Sequence, residues 1–183
     1  MMLKKWPRKL SKFARKSLSG LYDKPLPPTT DKDEHLIEEL RDDFRNLPNI
    51  EETDDSGAHE EWIKNVNKLK ELVLNDDPRE FLRWRVISGT MFAKYPSYIA
   101  PELSFLKKQH RWKTRWSQAI KECLVGHPTP YWRYPRSSGN LIHHAYHLAK
   151  FEENSSMRVE SLDGILEFGG GYGSMCRLCH NCG

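Results

Sequence analysis

Long apolar runs are missing from this 183-residue sequence. No run approaches the roughly 18 apolar residues that a membrane-spanning helix needs, so the sequence predicts no transmembrane segment. No uninterrupted apolar stretch follows the basic residues near the N-terminus, which argues against a secretory signal. Hydrophobic residues make up 38% of the chain and charged residues 30%, a composition that predicts a soluble chain with a packed core.

Cysteine is scarce and unevenly placed. The chain has four cysteines, and three of them, Cys176, Cys179 and Cys182, lie close to the C-terminal residue. This distribution argues against a disulfide framework, because such a framework needs paired cysteines spread through a small chain. Together with the missing secretory signal, it predicts a reducing, cytoplasmic setting.

Acidic residues are absent from the first twenty positions, where lysine and arginine are frequent. We therefore interpret residues 1–22 as a basic amphipathic segment that can lie on the anionic inner face of a membrane through residues 1–20. A solvated tail and a mitochondrial transit peptide are the alternatives, and the sequence leaves them open. The apolar residues that recur at helical spacing in this segment are Trp6, Leu10, Phe13 and Leu21.

Prolines and acidic residues mark the next segment, residues 23–57. The stretch Lys24–Thr30 contains three prolines and predicts a linker. A helix is predicted from about Asp33, and Pro48 ends it. Its apolar face is Leu36, Ile37, Leu40, Phe44 and Leu47, and the acidic loop Asn49–Gly57 follows.

Apolar residues at helical spacing then predict a helical domain over residues 58–160. One helix carries Trp62, Val66, Leu69 and Val73, and another begins at Asp77-Pro78. Tyr95-Pro96 and Ala100-Pro101 are interpreted as breaks, which leaves a helix near His110–Leu124. The last predicted helix is Asn140–Glu153, with Asn140 as its N-cap.

A convincing strand, Gly164–Phe168, precedes a run of glycines. Glycine permits positive φ angles and presents backbone N–H groups without a Cβ in the way. The helix predicted to follow adds its own unpaired N–H groups and the positive end of its dipole. Such a turn suits a ligand that brings polar or negative groups against the end of a strand, as nucleotides do in doubly wound sheets.

The spacing of the glycines indicates which class of nucleotide ligand the loop could bind. A dinucleotide pattern would need glycine or alanine at Ser174 or Cys176, and a P-loop would need lysine followed by serine or threonine; neither pattern is present. The pattern acid-x-G-x-G-x-G fits throughout. It resembles motif I of the class I S-adenosylmethionine-dependent methyltransferases. The residues that carry this resemblance are Glu167, Gly169, Gly171 and Gly173.

The stretches GNLIHHAYHLAKF and ILEFGGGYGSMCRL are similar to a family of sugar O-methyltransferases from polysaccharide-biosynthesis settings. The similarity covers about Tyr131–Leu178. It implies S-adenosyl-L-methionine as the cofactor, a glycan or sugar-containing small molecule as the substrate, and a role for Glu167 in fixing the loop and contacting the cofactor's amino group. The cofactor-binding positions that it implies are Glu167, Gly169, Gly170, Gly171, Tyr172 and Gly173.

The fold class predicted from these segments is a mostly α N-terminal region followed by the first strand, glycine loop and helix of a truncated α/β (Rossmann-like) methyltransferase domain. That domain begins at residues 161–183. A complete domain of this class needs several more parallel strands with crossover connections. We therefore expect the chain to be the N-terminal piece of a larger protein and to be catalytically inactive by itself.

The clustered thiols allow metal-based alternatives. Cys176, Cys179 and His180 match the C-x-x-C-H pattern of haem attachment. The three thiols together with His180 or Cys123 also make a candidate zinc or iron–sulfur site. Because these cysteines lie on the helix predicted after the loop, we favour packing for them and assign no metal.

Three histidines precede the glycine loop. His143 and His147 are four residues apart on a predicted helix and can face one ligand, whereas His144 points elsewhere. No carboxylate lies at a matching position to complete a metal site. All three histidines are candidates for the base that takes the proton of a sugar hydroxyl, with packing and capping as the alternative.

Two arginine–aromatic clusters, His110–Trp116 and Tyr131–Arg136, can stack on nucleic-acid bases or on sugar rings. The acidic stretch Asp31–Glu61 argues against nucleic acid, and the spacing of Trp112 and Trp116 indicates core packing. The second cluster is the better candidate for substrate contact. Its residues are Tyr131, Trp132, Arg133 and Arg136.

The function predicted from the sequence is S-adenosylmethionine-dependent methylation of a sugar or glycan hydroxyl. Two alternatives stay open. One is a non-enzymatic helical module that binds a membrane or a partner through residues 1–20, and the other is a small Cys/His metal-binding protein.

Overall fold

The structure, a computed structural model, describes residues 18, 20–48, 60–90, 97–168 and 170–183. These residues form two compact units, each made of chain segments that are not contiguous. The first unit holds residues 25–48, 60–90 and 124–128, and the second holds 18, 20–24, 97–123, 129–168 and 170–183. The predicted helical domain of residues 58–160 thus contributes to both units.

Several predicted features lie outside the described residues. They include nearly all of the basic segment of residues 1–20, the acidic loop of residues 49–57, the break at Tyr95-Pro96 and the loop glycine Gly169.

Helix α1 (Asp31–Asn46) belongs to the first unit and confirms the helix predicted between Thr30 and Pro48. The Thr30 side chain accepts a hydrogen bond from the Asp33 backbone, and the Asp33 carboxylate accepts one from the Thr30 backbone. No residue of α1 is buried, so the predicted apolar face is largely exposed. Arg41 attaches α1 to the next helix by donating to the Val73 carbonyl.

The first unit continues with α2 (Glu60–Asn75), a 3₁₀ turn (Pro78–Arg83) and α3 (Arg85–Thr90). Asp77 caps the turn by accepting a hydrogen bond from the Arg79 backbone, as the Asp77-Pro78 signal predicted. Helix α2 buries Ile63 and Val73, whereas the predicted face residue Trp62 is 53% exposed. Residues 124–128 pack on this turn, where the Gly126 carbonyl accepts a hydrogen bond from the Leu82 backbone at 3.0 Å.

The second unit begins with α4 (Ile99–Lys108), a π-helical turn (Trp112–Trp116) and the short α5 (Ser117–Ala119). The single long helix predicted near His110–Leu124 is therefore wrong. The interpretation of Pro101 as a break was also wrong, because Pro101 lies in the first turn of α4, where a backbone N–H has no partner within the helix.

A hairpin and two helices complete the second unit. Strand β1 (Pro130–Tyr131) pairs antiparallel with β2 (Tyr134–Ser138), and β2 runs directly into α6 (Gly139–Ser155). A 3₁₀ turn (Val159–Ser161) and α7 (Ser174–Cys182) follow.

Helix α6 lies at the centre of the second unit, packed against α4 and α7. They share one cluster of buried hydrophobic residues with the hairpin and with α5. It includes Leu106, Trp116, Ile120, Leu141, Ile142, Ala145 and Leu178, and Trp112 packs against it, which confirms core packing for both tryptophans of the His110–Trp116 cluster.

Residues 164–168 do not form the predicted strand. Within the part of the chain that the structure describes, the only sheet is the β1–β2 hairpin. A strand needs a neighbouring strand for its backbone hydrogen bonds, and Gly164–Phe168 has none in this sheet. The side chains of Leu166 and Phe168 are accordingly 95% and 102% exposed.

No helix among the described residues has the length and apolar character needed to cross a membrane.

Candidate functional site

Helix α6 carries the three candidate histidines. It begins after Ser138, whose side chain accepts a hydrogen bond from the Leu141 backbone at 3.1 Å. The predicted N-cap, Asn140, is instead a buried residue inside the first turn. Because the cap lies two residues earlier, the side chain of Asn140 is available to donate to the Tyr172 hydroxyl at 2.5 Å.

His143 and His147 face each other one helical turn apart. Their Nε2 atoms are 3.2 Å apart, and the two rings are nearly perpendicular. On its other side, His143 Nδ1 lies 2.9 and 3.1 Å from the two carboxylate oxygens of Glu102. Glu102 belongs to α4 and is only 8% exposed.

Glu102 is the functional candidate that the sequence analysis missed. Spacing along α6 places no carboxylate beside the two histidines, so the local sequence gives no sign of this residue. Glu102 lies far upstream and reaches His143 only because α4 packs along α6. Within the described residues, only one group of three histidine, cysteine, aspartate or glutamate side chains has its possible metal-ligand atoms within 4.8 Å of one another. That group is Glu102, His143 and His147.

His144 faces the opposite direction and contacts the start of α7. Its Nδ1 lies 3.0 Å from the hydroxyl of Ser174, the first residue of that helix. Burial, followed by the neighbouring His143, lowers the pKa of His144 below its usual value of 6.5, although Glu167 partly opposes this. His144 is therefore neutral at pH 7 and lies next to the glycine loop.

The glycine loop has a bare and sharply turned backbone. Gly171 and Gly173 have φ angles of 56° and 74°, in the left-handed region that favours glycine. Gly173 is the N-cap of α7, and its backbone N–H donates to the Gly170 carbonyl at 2.8 Å. A Cβ at Gly170 would lie 3.0 Å from the Glu167 carboxylate, a tight contact that would require the Glu167 side chain to shift slightly.

The Glu167 carboxylate lies beside the positive end of α7. Its Oε2 accepts hydrogen bonds from the backbone N–H of Cys176 at 3.3 Å and from the Cys176 thiol at 2.9 Å. A carboxylate in this position compensates the dipole of the helix and satisfies one of its first N–H groups. Glu167 thus fixes the loop against α7.

Tyr172, at the centre of the loop, is partly buried and is held by Asn140. Burial raises its pKa above the usual 10.0. Arg177 of α7 donates to the Glu122 carboxylate at 2.6 Å, and Ser138 donates to the same carboxylate. These contacts tie the glycine loop and α7 to the first turn of α6.

The candidate substrate contacts separate into two groups. Tyr131 is 3% exposed and belongs to the core, so it packs rather than offering a face to a ligand. Arg133 and Arg136 are exposed, and Trp132 is partly exposed. The Arg133 guanidinium lies 4.6 Å from the centre of the Trp132 ring, which leaves a cation–aromatic pair at the tip of the hairpin.

The four cysteines are free, and among the described residues they do not form a group of three ligand atoms that could hold a metal ion. Cys179 and Cys182 are buried in the core, and burial raises the pKa of Cys182 to about 11. Cys176 is exposed and donates to Glu167, and Cys123 is exposed and accepts from Arg177. The four thiols therefore have separate roles in packing and local hydrogen bonding.

Comparison with known proteins gives no assignment: neither a family model, nor a curated protein, nor a solved structure matches the chain.

Proposed function

We propose that the chain carries the start of an S-adenosylmethionine-binding site and belongs to a methyltransferase that acts on a sugar or glycan hydroxyl. The observation that supports this proposal best is the turn from Glu167 to Gly173. It combines two glycines in the left-handed conformation, a carboxylate and the first N–H groups of a helix.

The charged and polar groups of the loop suit this cofactor. When bound, S-adenosylmethionine supplies a methyl group activated by a sulfonium centre, and it also carries an ammonium and a carboxylate. The Glu167 carboxylate would hold the ammonium group. The N–H groups at the N-terminal end of α7 other than that of Cys176 would favour the carboxylate of the cofactor.

His144 supports the proton transfer that the reaction requires. A sugar hydroxyl loses its proton as its oxygen takes the methyl group, and a neutral imidazole can accept that proton. The pKa of His144 is lowered mainly by burial, so the ring is in the basic form at neutral pH. Among the three candidate histidines, His144 is the one that bonds the first residue of α7.

The sugar part of the proposal is supported by the tip of the hairpin. An indole ring next to a guanidinium, as in Trp132 and Arg133, can pack against a sugar ring and donate hydrogen bonds to its hydroxyls. Arg136 adds a second exposed guanidinium on β2.

A titration followed by amide NMR tests the proposal. We expect S-adenosylmethionine to shift the amide signals of residues 167–177, and ATP to shift them much less, because ATP carries no ammonium group for Glu167. Glu167→Gln should weaken binding about tenfold, the effect of losing one charge-assisted hydrogen bond. Equal shifts with both ligands, or shifts confined to other residues, would contradict the proposal.

A further inference from the structure

His143 and His147 form a close pair on one face of α6. Their Nε2 atoms lie 3.2 Å apart. Two imidazole nitrogens bound to one tetrahedral zinc ion, each at 2.0–2.1 Å, are separated by about 3.3 Å. The rings therefore already stand at the separation that a shared metal ion requires, and little movement is needed to admit one.

Glu102 fixes the orientation and the tautomer of the His143 ring. Its carboxylate lies within hydrogen-bonding distance of His143 Nδ1, so that nitrogen carries the proton and donates it to Glu102. The Nε2 atom, which lies close to His147, then carries a lone pair that can bind a metal ion. Metal-binding histidines are commonly oriented by a carboxylate in this way, which also makes the imidazole a stronger ligand.

The buried charge of Glu102 favours a cation nearby. A carboxylate that is 8% exposed has lost most of its hydration, and such a charge is costly unless it is paired. The only lysine or arginine of α6, Lys150, pairs with Glu153. A divalent ion on His143 would supply positive charge to the carboxylate through the imidazole.

The surroundings hold the two rings in place and leave one side open. The Tyr98 ring lies 5.1 Å from the His143 ring, and the Tyr146 ring lies 5.4 Å from the His147 ring. His147 is exposed, so an ion bound here would keep coordination positions for water or for oxygen atoms of a ligand. His144 bonds Ser174 instead and stands outside the ligand set.

We propose that His143 and His147, oriented by Glu102, form a binding site for one divalent transition-metal ion, with zinc as the ion that suits them best. Imidazole ligands favour zinc, nickel and copper over magnesium and calcium, which prefer oxygen. This site is independent of the proposed methyltransferase function, since none of its three residues belongs to the glycine loop.

Zinc titration of the full chain, purified without a histidine tag and freed of metal, tests the site. We expect saturation at one zinc per chain and no competition from excess magnesium. His147→Ala should abolish binding; because His147 is exposed, this variant should keep its circular dichroism spectrum. Glu102→Gln should weaken binding by about tenfold or more, as removal of a partner that orients a metal ligand does.

Two exposed residues of α7 give matched controls. Cys176→Ser and His180→Ala should leave zinc binding unchanged, because neither residue is in the ligand set. The cobalt-substituted protein should show no thiolate-to-metal charge-transfer band. Failure to bind zinc, zinc binding that survives His147→Ala, or loss of zinc on Cys176→Ser would each overturn the proposal. The titration contains no S-adenosylmethionine, so its result does not depend on the glycine loop.

Discussion

The Glu167 carboxylate determines the ionisation of the neighbouring Cys176 thiol. Glu167 accepts hydrogen bonds from both the thiol and the backbone N–H of Cys176. The hydrogen bond to Glu167 is the main reason that the pKa of Cys176 is raised above the usual 9.0, because it stabilises the protonated thiol. An exposed cysteine at a helix start would otherwise tend towards the thiolate.

Replacement of Glu167 should therefore activate this thiol. Glu167→Gln removes the negative charge, lowers the pKa of Cys176 and increases its thiolate fraction at pH 8. We expect iodoacetamide to alkylate Cys176 several-fold faster in the variant than in the wild type. Cys123, which is also exposed but bonds Arg177, serves as the internal reference, and peptide mapping reports both rates. An unchanged ratio of the two rates would refute the role of Glu167.

At the same scale, the sequence could identify residue types but not their partners. It placed His143 and His147 on one face of a helix, and the structure confirms this. It could not identify Glu102, because helix packing brings that residue to His143 and no local spacing records it. The sequence predicted Asn140 as the N-cap of α6, whereas the structure has Ser138. Both residue types are good N-caps, and the side chain of Asn140 instead donates to Tyr172, a contact that the local sequence does not reveal.

Among the elements, those with a strong local signal were predicted well. Helices α1, α2 and α6 have apolar residues at helical spacing, and the helices predicted there are confirmed. Helix α4 was missed because Pro101 was interpreted as a break, although proline is well tolerated in a first turn. Residues 164–168 have a strand-like composition but no strand beside them in the described sheet, and composition cannot supply hydrogen-bond partners.

The turn at residues 124–128 depends on one glycine. Gly126 has a φ angle of 75°, and a Cβ there would lie 2.5 Å from the Phe81 ring and 2.6 Å from the Leu82 side chain. Gly126→Ala combines an unfavourable backbone conformation with overpacking. It should lower the free energy of unfolding of the first unit by about 2 kcal/mol or more.

Gly89 provides the matched control for this substitution. It lies in α3, and a Cβ there would meet nothing within 4 Å. Gly89→Ala should raise the free energy of unfolding by up to about 1 kcal/mol, because alanine favours a helix more than glycine does. Urea unfolding followed by circular dichroism measures both variants. Equal stability of the two variants would show that the turn is not constrained as described.

For the whole molecule, three carboxylates distributed over both units have pKa values that folding lowers. The pKa of Asp33 is lowered by hydrogen bonds from Thr30, and that of Asp77 by a hydrogen bond from Arg79. The pKa of Glu160 is also lowered: burial opposes the shift, but the hydrogen bond from Arg111 and the nearby Arg115 outweigh it. Each of these carboxylates releases its proton more easily in the folded chain than in the unfolded chain.

Titration of His144 should make the stability of the folded chain depend on pH in a second, higher pH range. Burial lowers its pKa below the usual 6.5, so the unfolded chain takes up this proton before the folded chain does. Stability should therefore be complete above about pH 6.5 and should first fall as the pH drops below that value. The carboxylates should cause a further and steeper loss below about pH 4.5, where they are protonated in the unfolded chain first.

Urea unfolding midpoints measured between pH 7.5 and pH 3 would separate the loss of stability due to His144 from the loss due to the carboxylates. His144→Gln keeps a hydrogen-bonding side chain next to Ser174 but cannot take up a proton in this range, so it should remove the decline near pH 6 and leave the acid decline unchanged. Arg111→Gln should do the reverse, because it removes the hydrogen bond that lowers the pKa of Glu160 and so reduces the loss below pH 4.5. A wild-type midpoint that stays constant from pH 7.5 to pH 5 would show that His144 is not held neutral by burial.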